Sequence, residues 1–183
     1  LVCSSDLSVK GKLVQKIFDE NLKFVTSEEK EVSIASKDSI LVSQKIELIK
    51  PRLWSIESPN RHLIVNELYN EKNKLIDSDS LYFGIRKIEF SSKWGFKLND
   101  ENIKIKGVCM HHAAGIYGSA VPESILLYRL QLLKNMGCNA IRTAHNPFSP
   151  EFYTLCDKLG ILVLDEIFDG WENAKAEDDY GLY

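Results

Sequence analysis

Three short groups of polar residues in the second half of the chain are of types that can do chemistry. They are His111-His112, then Arg142 with His145 and Asn146, then Asp165-Glu166. Each follows a short apolar run that reads as a β-strand. Parallel α/β sheets and barrels place their chemistry at the carboxyl ends of the strands, so the three groups are expected to converge on one face. Imidazoles exchange protons near neutral pH. A guanidinium orients a carboxylate through two parallel hydrogen bonds. A carboxyl group can act as general acid or base. Trp171, just past the third group, is open enough to serve as a platform for a sugar ring, whereas Trp54 fits a core position better.

Each group also has a plainer reading. Loops are polar in most proteins. His111 and His112 are adjacent, so their side chains point in different directions, and no third ligand accompanies them; no metal site is expected. His145 beside Asn146-Pro147 can simply shape a turn. Arg142 can form a structural ion pair with Asp165 or Glu166. What favours a site is that three separate strand ends carry titratable groups.

The elements that must position these residues follow an alternating order. Ile103–Val108 reads as a strand, and Pro122 opens a helix with Leu126, Leu130 and Leu133 on one face and Gly137 at its end. Asn139–Arg142 is the next strand. Ser149-Pro150-Glu151 starts a second helix with a cap, a preset φ and a carboxylate favoured by the helix dipole. Phe152, Leu155, Cys156 and Leu159 form its buried stripe, Gly160 ends it, and Ile161–Leu164 is a third, fully apolar strand. This β-α-β-α-β order with short connections implies a parallel sheet. A closed eight-fold barrel needs about 250 residues and roughly 85 follow the first half, so a barrel, if the sheet belongs to one, is truncated.

The first half reads differently. Residues 1–94 hold two glycines against eight in residues 95–183. Lys12–Phe18, Glu31–Ile34, Lys45–Ile49, His62–Leu68 and Leu81–Phe90 are β-prone runs between polar turns, with a break or bulge expected at Gly84. Short strands at this spacing predict an all-β sandwich over residues 1–90, able to fold by itself, followed by the barrel segment over residues 91–183. The three barrel strands would leave sheet edges open.

Charge and composition exclude several classes. The net charge is −3, which gives no electrostatic footprint for nucleic acid. Residues 1–90 carry 14 basic and 14 acidic groups, residues 91–183 carry 9 and 12, so the deficit lies in the second half. No apolar run is long enough to span a membrane. The four cysteines, Cys3, Cys109, Cys138 and Cys156, lack metal-ligand spacing, and the last three sit in apolar runs that predict small buried side chains. Leu1 to Lys10 is too polar for a signal peptide, and the chain reads as an excised piece.

Several motifs together resemble glycoside hydrolase family 2, the family of β-galactosidases, β-glucuronidases and β-mannosidases. Arg52-Leu53-Trp54-Ser55-Ile56-Glu57-Ser58-Pro59 resembles a segment late in its immunoglobulin-like domain, and Phe83-Gly84-Ile85-Arg86-Lys87-Ile88-Glu89 the join to its barrel. Lys106-Gly107-Val108-Cys109-Met110-His111-His112 is similar to the first barrel strand, and Ile141-Arg142-Thr143-Ala144-His145-Asn146-Pro147 to the second. Leu155-Cys156-Asp157 to Gly160 and Val163-Leu164-Asp165-Glu166 match the segment into the third.

The resemblance implies an immunoglobulin-like β-sandwich followed by a truncated (β/α)8 TIM barrel with three strands and two helices. It implies a retaining exo-β-glycosidase, of the β-galactosidase type, as the parent protein. His111 and His145 would bind substrate and Arg142 would support the nucleophile. His112, Asn146, Asp165, Glu166 and Trp171 are candidates to line the site. Both catalytic Glu residues would lie on later strands, so the chain alone is expected to be inactive. Met110 and Ala144 depart from the family pattern. No cofactor is expected in this chain, and a divalent or monovalent metal in the full-length parent is left open. The expected partner is a β-galactoside, with a homo-oligomer allowed and neither nucleic acid nor membrane expected. A bacterial periplasmic or extracellular address is the expectation, with the cytoplasm as the other choice. The alternatives are a β-glucuronidase or β-mannosidase, or a non-catalytic β-sandwich interaction module.

Overall fold

The computed structural model describes residue 1 and residues 6–167, so Cys3 and Trp171 lie outside the described residues. The chain forms two compact units. One comprises Leu1–Leu53 and Asn60–Ile85; the other comprises Trp54–Pro59 and the chain from Arg86 onward.

The first unit is built on an all-β, immunoglobulin-like sheet of four antiparallel strands. These are β1 (Val9–Phe18), β2 (Phe24–Ile34), β3 (His62–Asn70) and β4 (Leu75–Phe83), in the order β2-β1-β3-β4. Alternation separates two faces. Gly11, Ile17, Val32 and Ile34 are buried on one face. On the other, Lys16 pairs with Glu67 at 2.7 Å and Lys12 with Glu29 at 3.2 Å. The expected strand Lys45–Ile49 is not a strand. Val42, Gln44, Ile46 and Leu48 do alternate inward, but the segment makes no ladder. The run Leu81–Phe90 splits as Gly84 suggested. Leu81–Phe83 closes β4, and Ile88 to Ser91 begins a new strand.

The second unit begins with a small antiparallel sheet of β5 (Ile88–Ser91), β6 (Gly95–Leu98) and β7 (Glu101–Asn102). The barrel segment follows as β8 (Gly107–Met110), α1 (Glu123–Asn135), β9 (Ala140–Thr143), α2 (Pro150–Leu159) and β10 (Leu162–Leu164). Its three strands are parallel in the order β10-β9-β8, and they do not close into a barrel. The first of them starts later than the sequence suggests, at Gly107 rather than Ile103.

The helices form for the expected reasons, with two corrections at their starts. Pro122 is the N-cap of α1, not its first helical residue, and its carbonyl accepts the N–H groups of Ile125 and Leu126. Ser149 is the N-cap of α2, yet its hydroxyl makes no capping bond to the backbone. The Glu151 carboxyl in the first turn is held below its ordinary value by its own N–H and by that hydroxyl. Leu126, Leu130, Phe152, Leu155 and Cys156 pack with Met110, Ile141 and Phe148 as one core. Val108 and Val163 join the same side, so Cys109, Arg142 and Leu164 project from the other face of the sheet. The expectation that all three apolar-run cysteines are buried fails at Cys109, which is exposed, and is only half met at Cys138, which is half-buried. Cys156 is buried, and burial pushes its thiol up to about 12.

A second cluster sits at the amino ends of the parallel strands. Trp54, Ile56, Phe96 and Leu98 are buried together, with Ile103 and Leu162 against them. Trp54 Nε1 donates to the carbonyl of Asp157 at 2.9 Å, and Asn99 Nδ2 donates to the carbonyl of Trp54 at 3.0 Å. Trp54 is thus core, as its sequence setting suggested, but core of the second unit.

Lys134 ties this cluster to the helices. Its ammonium donates to the carbonyls of Ile56 at 2.7 Å and Gly160 at 3.1 Å, and to that of Leu159. The last two belong to the end of α2, where carbonyls lack intrahelical partners. Burial pulls the Lys134 pKa below its ordinary value, so the three carbonyls must offset the cost of desolvating the charge. Lys134→Met keeps the stem but strands those carbonyls. The expected loss is about 2–3 kcal/mol of unfolding free energy, read from urea denaturation. A neutral substitution would mean that apolar packing replaces the three bonds at no cost.

Candidate active site

The parallel ladder brings the predicted residues together. Gly107 pairs with Ala140, Cys109 with Arg142 and Met110 with Thr143; Leu164 pairs with Arg142 from the other side. One residue past the ladder, Ala144 N–H donates to the carbonyl of Met110 at 3.0 Å. The two chains therefore stay side by side as they leave the sheet. The rings of His111 and His145 meet edge to face, with centroids 5.5 Å apart. The Ala144-His145 peptide is cis.

Glu166 is the hub of this cluster. Arg142 donates to Glu166 Oε1 through Nε at 2.7 Å and also through Nη2. His145 Nδ1 lies 3.4 Å from Glu166 Oε2. That oxygen is buried and accepts no hydrogen bond among the described residues. The third guanidinium nitrogen, Nη1, points at Cys109 Sγ, 3.3 Å away. The Cys109 sulfur and the Glu166 carboxylate both push the Arg142 pKa above its ordinary value, so this cation stays protonated at any working pH. Of the two ion pairs the sequence allowed, Arg142 makes the one with Glu166.

Asp165 faces elsewhere. Its Oδ1 accepts from Thr143 Oγ1 at 2.8 Å and from the Tyr153 hydroxyl at 2.6 Å. The same hydroxyl accepts the Phe148 N–H at 2.9 Å, and Thr143 Oγ1 accepts the Glu166 N–H at 2.9 Å. Burial first, then the Asp165 contact, pushes the Tyr153 phenol up to about 12. His112 also leaves the cluster, packing its ring on Phe148 with centroids 4.3 Å apart. Asn146 is exposed. No three His, Cys, Asp or Glu side chains gather as a metal site among the described residues.

Sequence reasoning missed Cys109, Thr143 and Tyr153. Thr143 carried a weak signal, since it is the last strand residue before the polar loop. Tyr153 stands beside Phe152 on the shoulder of an apolar helix stripe, where nothing marks its hydroxyl as engaged.

The cluster lies at the carboxyl ends of parallel strands, and the sequence places the chain in a family. Residues 2–86 match the family described as glycosyl hydrolases family 2, and residues 91–172 match its TIM barrel domain. The chain belongs to glycosyl hydrolase family 2. It is 42% identical over 182 residues to a protein named putative β-glucuronidase from Formosa agariphila, covering 98% of this chain and 17% of the relative. It is 34% identical over 183 residues to β-galactosidase BoGH2A from Bacteroides ovatus, covering 100% of this chain and 21% of the relative. Among solved structures it matches a β-glycosidase from Bacteroides vulgatus with TM-score 0.81 and 45% identity, over 94% of this chain and 21% of that one. A family 2 member from Bacteroides cellulosilyticus matches with TM-score 0.90 and 33% identity, over 99% of this chain and 25% of that one. The chain thus spans about a fifth of the length of the curated relatives it matches.

Proposed function

We propose that the chain forms part of a retaining exo-β-glycosidase that releases terminal β-linked galactose. The observation that carries this reading is the cluster of His111, Arg142, His145 and Glu166 at the carboxyl ends of β8, β9 and β10. Two imidazoles offer hydrogen bonds to sugar hydroxyls, and a fixed guanidinium sets the charge that orients carboxylates around the scissile bond. Retaining hydrolysis needs two carboxyl groups about 5–5.5 Å apart, one attacking the anomeric carbon and the other first an acid and then a base. Neither carboxylate described here suits those tasks. Glu166 is engaged by Arg142, and Asp165 by Thr143 and Tyr153. On this reading the catalytic pair comes from later strands, and residues 1–183 bind and position without hydrolysing. Arg142 acts on the nucleophile from this side of the site.

The galactoside choice rests on the resemblance of Cys109 with His111-His112, and of Phe168-Asp169-Gly170-Trp171, to the β-galactosidase-type branch of the family, and on the name of the relative from Bacteroides ovatus. A glucuronide is the second reading, because the relative from Formosa agariphila carries that name at higher identity. A panel of aryl β-galactoside, β-glucuronide and β-mannoside separates them. The full-length gene product is expected to turn over the galactoside, and the purified 183-residue chain none of the three. Turnover by the chain alone would overturn the placement of the carboxylates. A preference for glucuronide would select the second reading, and no turnover by the full-length protein would remove the glycosidase reading.

A further inference from the structure

Asp165 is a carboxylate at a strand end inside the candidate site, yet its contacts point away from the sugar-facing cluster. Its Oδ1 takes two short hydrogen bonds, from Thr143 Oγ1 and the Tyr153 hydroxyl. Each donor makes a second bond to backbone. Thr143 Oγ1 receives the N–H of Glu166, and the Tyr153 hydroxyl receives the N–H of Phe148. Four segments are joined through one oxygen: the end of β9, the loop carrying His145 to Phe148, α2, and the end of β10. Thr143 is fully buried, so its hydroxyl has no water to turn to.

We propose that Thr143, Asp165 and Tyr153 form a positioning bracket that fixes Glu166, and through it the side chains of Arg142 and His145. The bond to the Glu166 N–H sets the backbone from which the carboxylate projects. Oε1 then meets the Arg142 edge and Oε2 faces His145 Nδ1. The bond to the Phe148 N–H holds the far end of the loop that carries His145. Asp165 is a positioning residue here; it offers no proton to substrate. Asp165 is exposed and Tyr153 half-buried, but Thr143 at the centre of the network is buried, so removing its hydroxyl leaves the Glu166 N–H without its acceptor. Misplacement of a supporting group by about 1 Å can cost on the order of 10²-fold in rate.

This inference rests on the glycosidase reading for its kinetic consequence but not for its structural one, so two measurements are paired. The first is the Arg142 Nε–H resonance of the ¹⁵N-labelled chain. It is expected to be slow to exchange in the wild type, unchanged in Thr143→Ser, and lost to exchange in Thr143→Val, which has nearly the same shape and no hydroxyl. The second is kinetics of the full-length protein on its best aryl glycoside. Thr143→Val is expected to lose on the order of 10²-fold in kcat with KM changed by less than about threefold, and Thr143→Ser to restore most of it. Tyr153→Phe removes the two outer bonds, to Asp165 and from the Phe148 N–H, but keeps the Thr143 bond to the Glu166 N–H, so it should show a smaller loss of the same kind; it decides the matter should Thr143→Val fail to fold. A protected Nε–H and kcat within about twofold of wild type in the folded hydroxyl-deleting variants would overturn the bracket. So would an equal loss in Thr143→Ser, since packing rather than the hydroxyl would then be responsible. Absence of any turnover by the wild type fails the glycosidase reading alone, and the resonance still decides the bracket.

Discussion

Replacing Arg142 with lysine is expected to lower kcat/KM of the full-length protein by about 10²–10³-fold, the size of loss seen when a preorganised donor is removed from an active site. Charge is conserved in this substitution, so the loss measures geometry. Arg142 presents Nε and Nη2 to one oxygen of Glu166 while Nη1 reaches Cys109 Sγ. A lysine ammonium is a compact point charge on a flexible stem and cannot hold two partners in fixed directions. The contact with Glu166 also gives a check on mechanism. If Arg142 and Glu166 work as one unit, Arg142→Lys combined with Glu166→Gln should be hardly worse than the more damaging single change. Losses that multiply would show that the two side chains act independently, and Glu166 would then not be the group that orients Arg142.

Gly160→Ala is expected to be the most destabilising small substitution in the second unit. Gly160 ends α2 in the left-handed conformation, with φ of +68°. An alanine there costs about 1–2 kcal/mol in backbone strain. Its methyl group would also lie 2.2 Å from the Ile56 carbonyl oxygen, a main-chain atom that cannot rotate aside. Displacing that backbone would disturb the Lys134 bonds as well, so a total loss of about 3–5 kcal/mol is expected. Gly137 is the internal control. It follows α1 with φ of +88°, but a methyl group there meets nothing within 4 Å. Gly137→Ala should therefore show the backbone strain alone, about 1–2 kcal/mol. Equal shifts in the urea midpoint for the two variants would show that the approach of Ile56 carries no cost.

What could be read from the sequence was set by local pattern. The stripes Leu126-Leu130-Leu133 and Phe152-Leu155-Cys156-Leu159 repeat at helical spacing, and Gly137 and Gly160 stop both helices, so these elements were legible to within a residue or two. The polar groups after the parallel strands were legible for the same reason: a strand end is a local feature. Strand β4 was only partly visible, because Asp77, Ser78, Asp79 and Ser80 have low β-propensity and the strand is held by its ladder to β3. β6 was hidden by Gly95 and Lys97 on either side of Phe96. Lys45–Ile49 had the alternation of a strand without a neighbour to bond. The bracket around Asp165 depends on Thr143 and Tyr153, ten residues apart on a strand and a helix, and no spacing rule joins such a pair. The Trp54 indole was recognisable as core, but its partner Asp157 lies 103 residues away.

The placement of Trp54–Pro59 has a consequence for how such proteins can be cut and recombined. These six residues belong to the unit that otherwise starts at Arg86, although the chain on both sides of them belongs to the first unit. Trp54 and Ile56 supply half of the buried cluster at the amino ends of the barrel strands, and the Ile56 carbonyl receives Lys134. A gene fusion joined between the two halves of the sequence would pass on a barrel segment stripped of that support, with the Lys134 ammonium short of an acceptor. The module that heredity can exchange is therefore longer than the barrel itself: it has to carry its predecessor along.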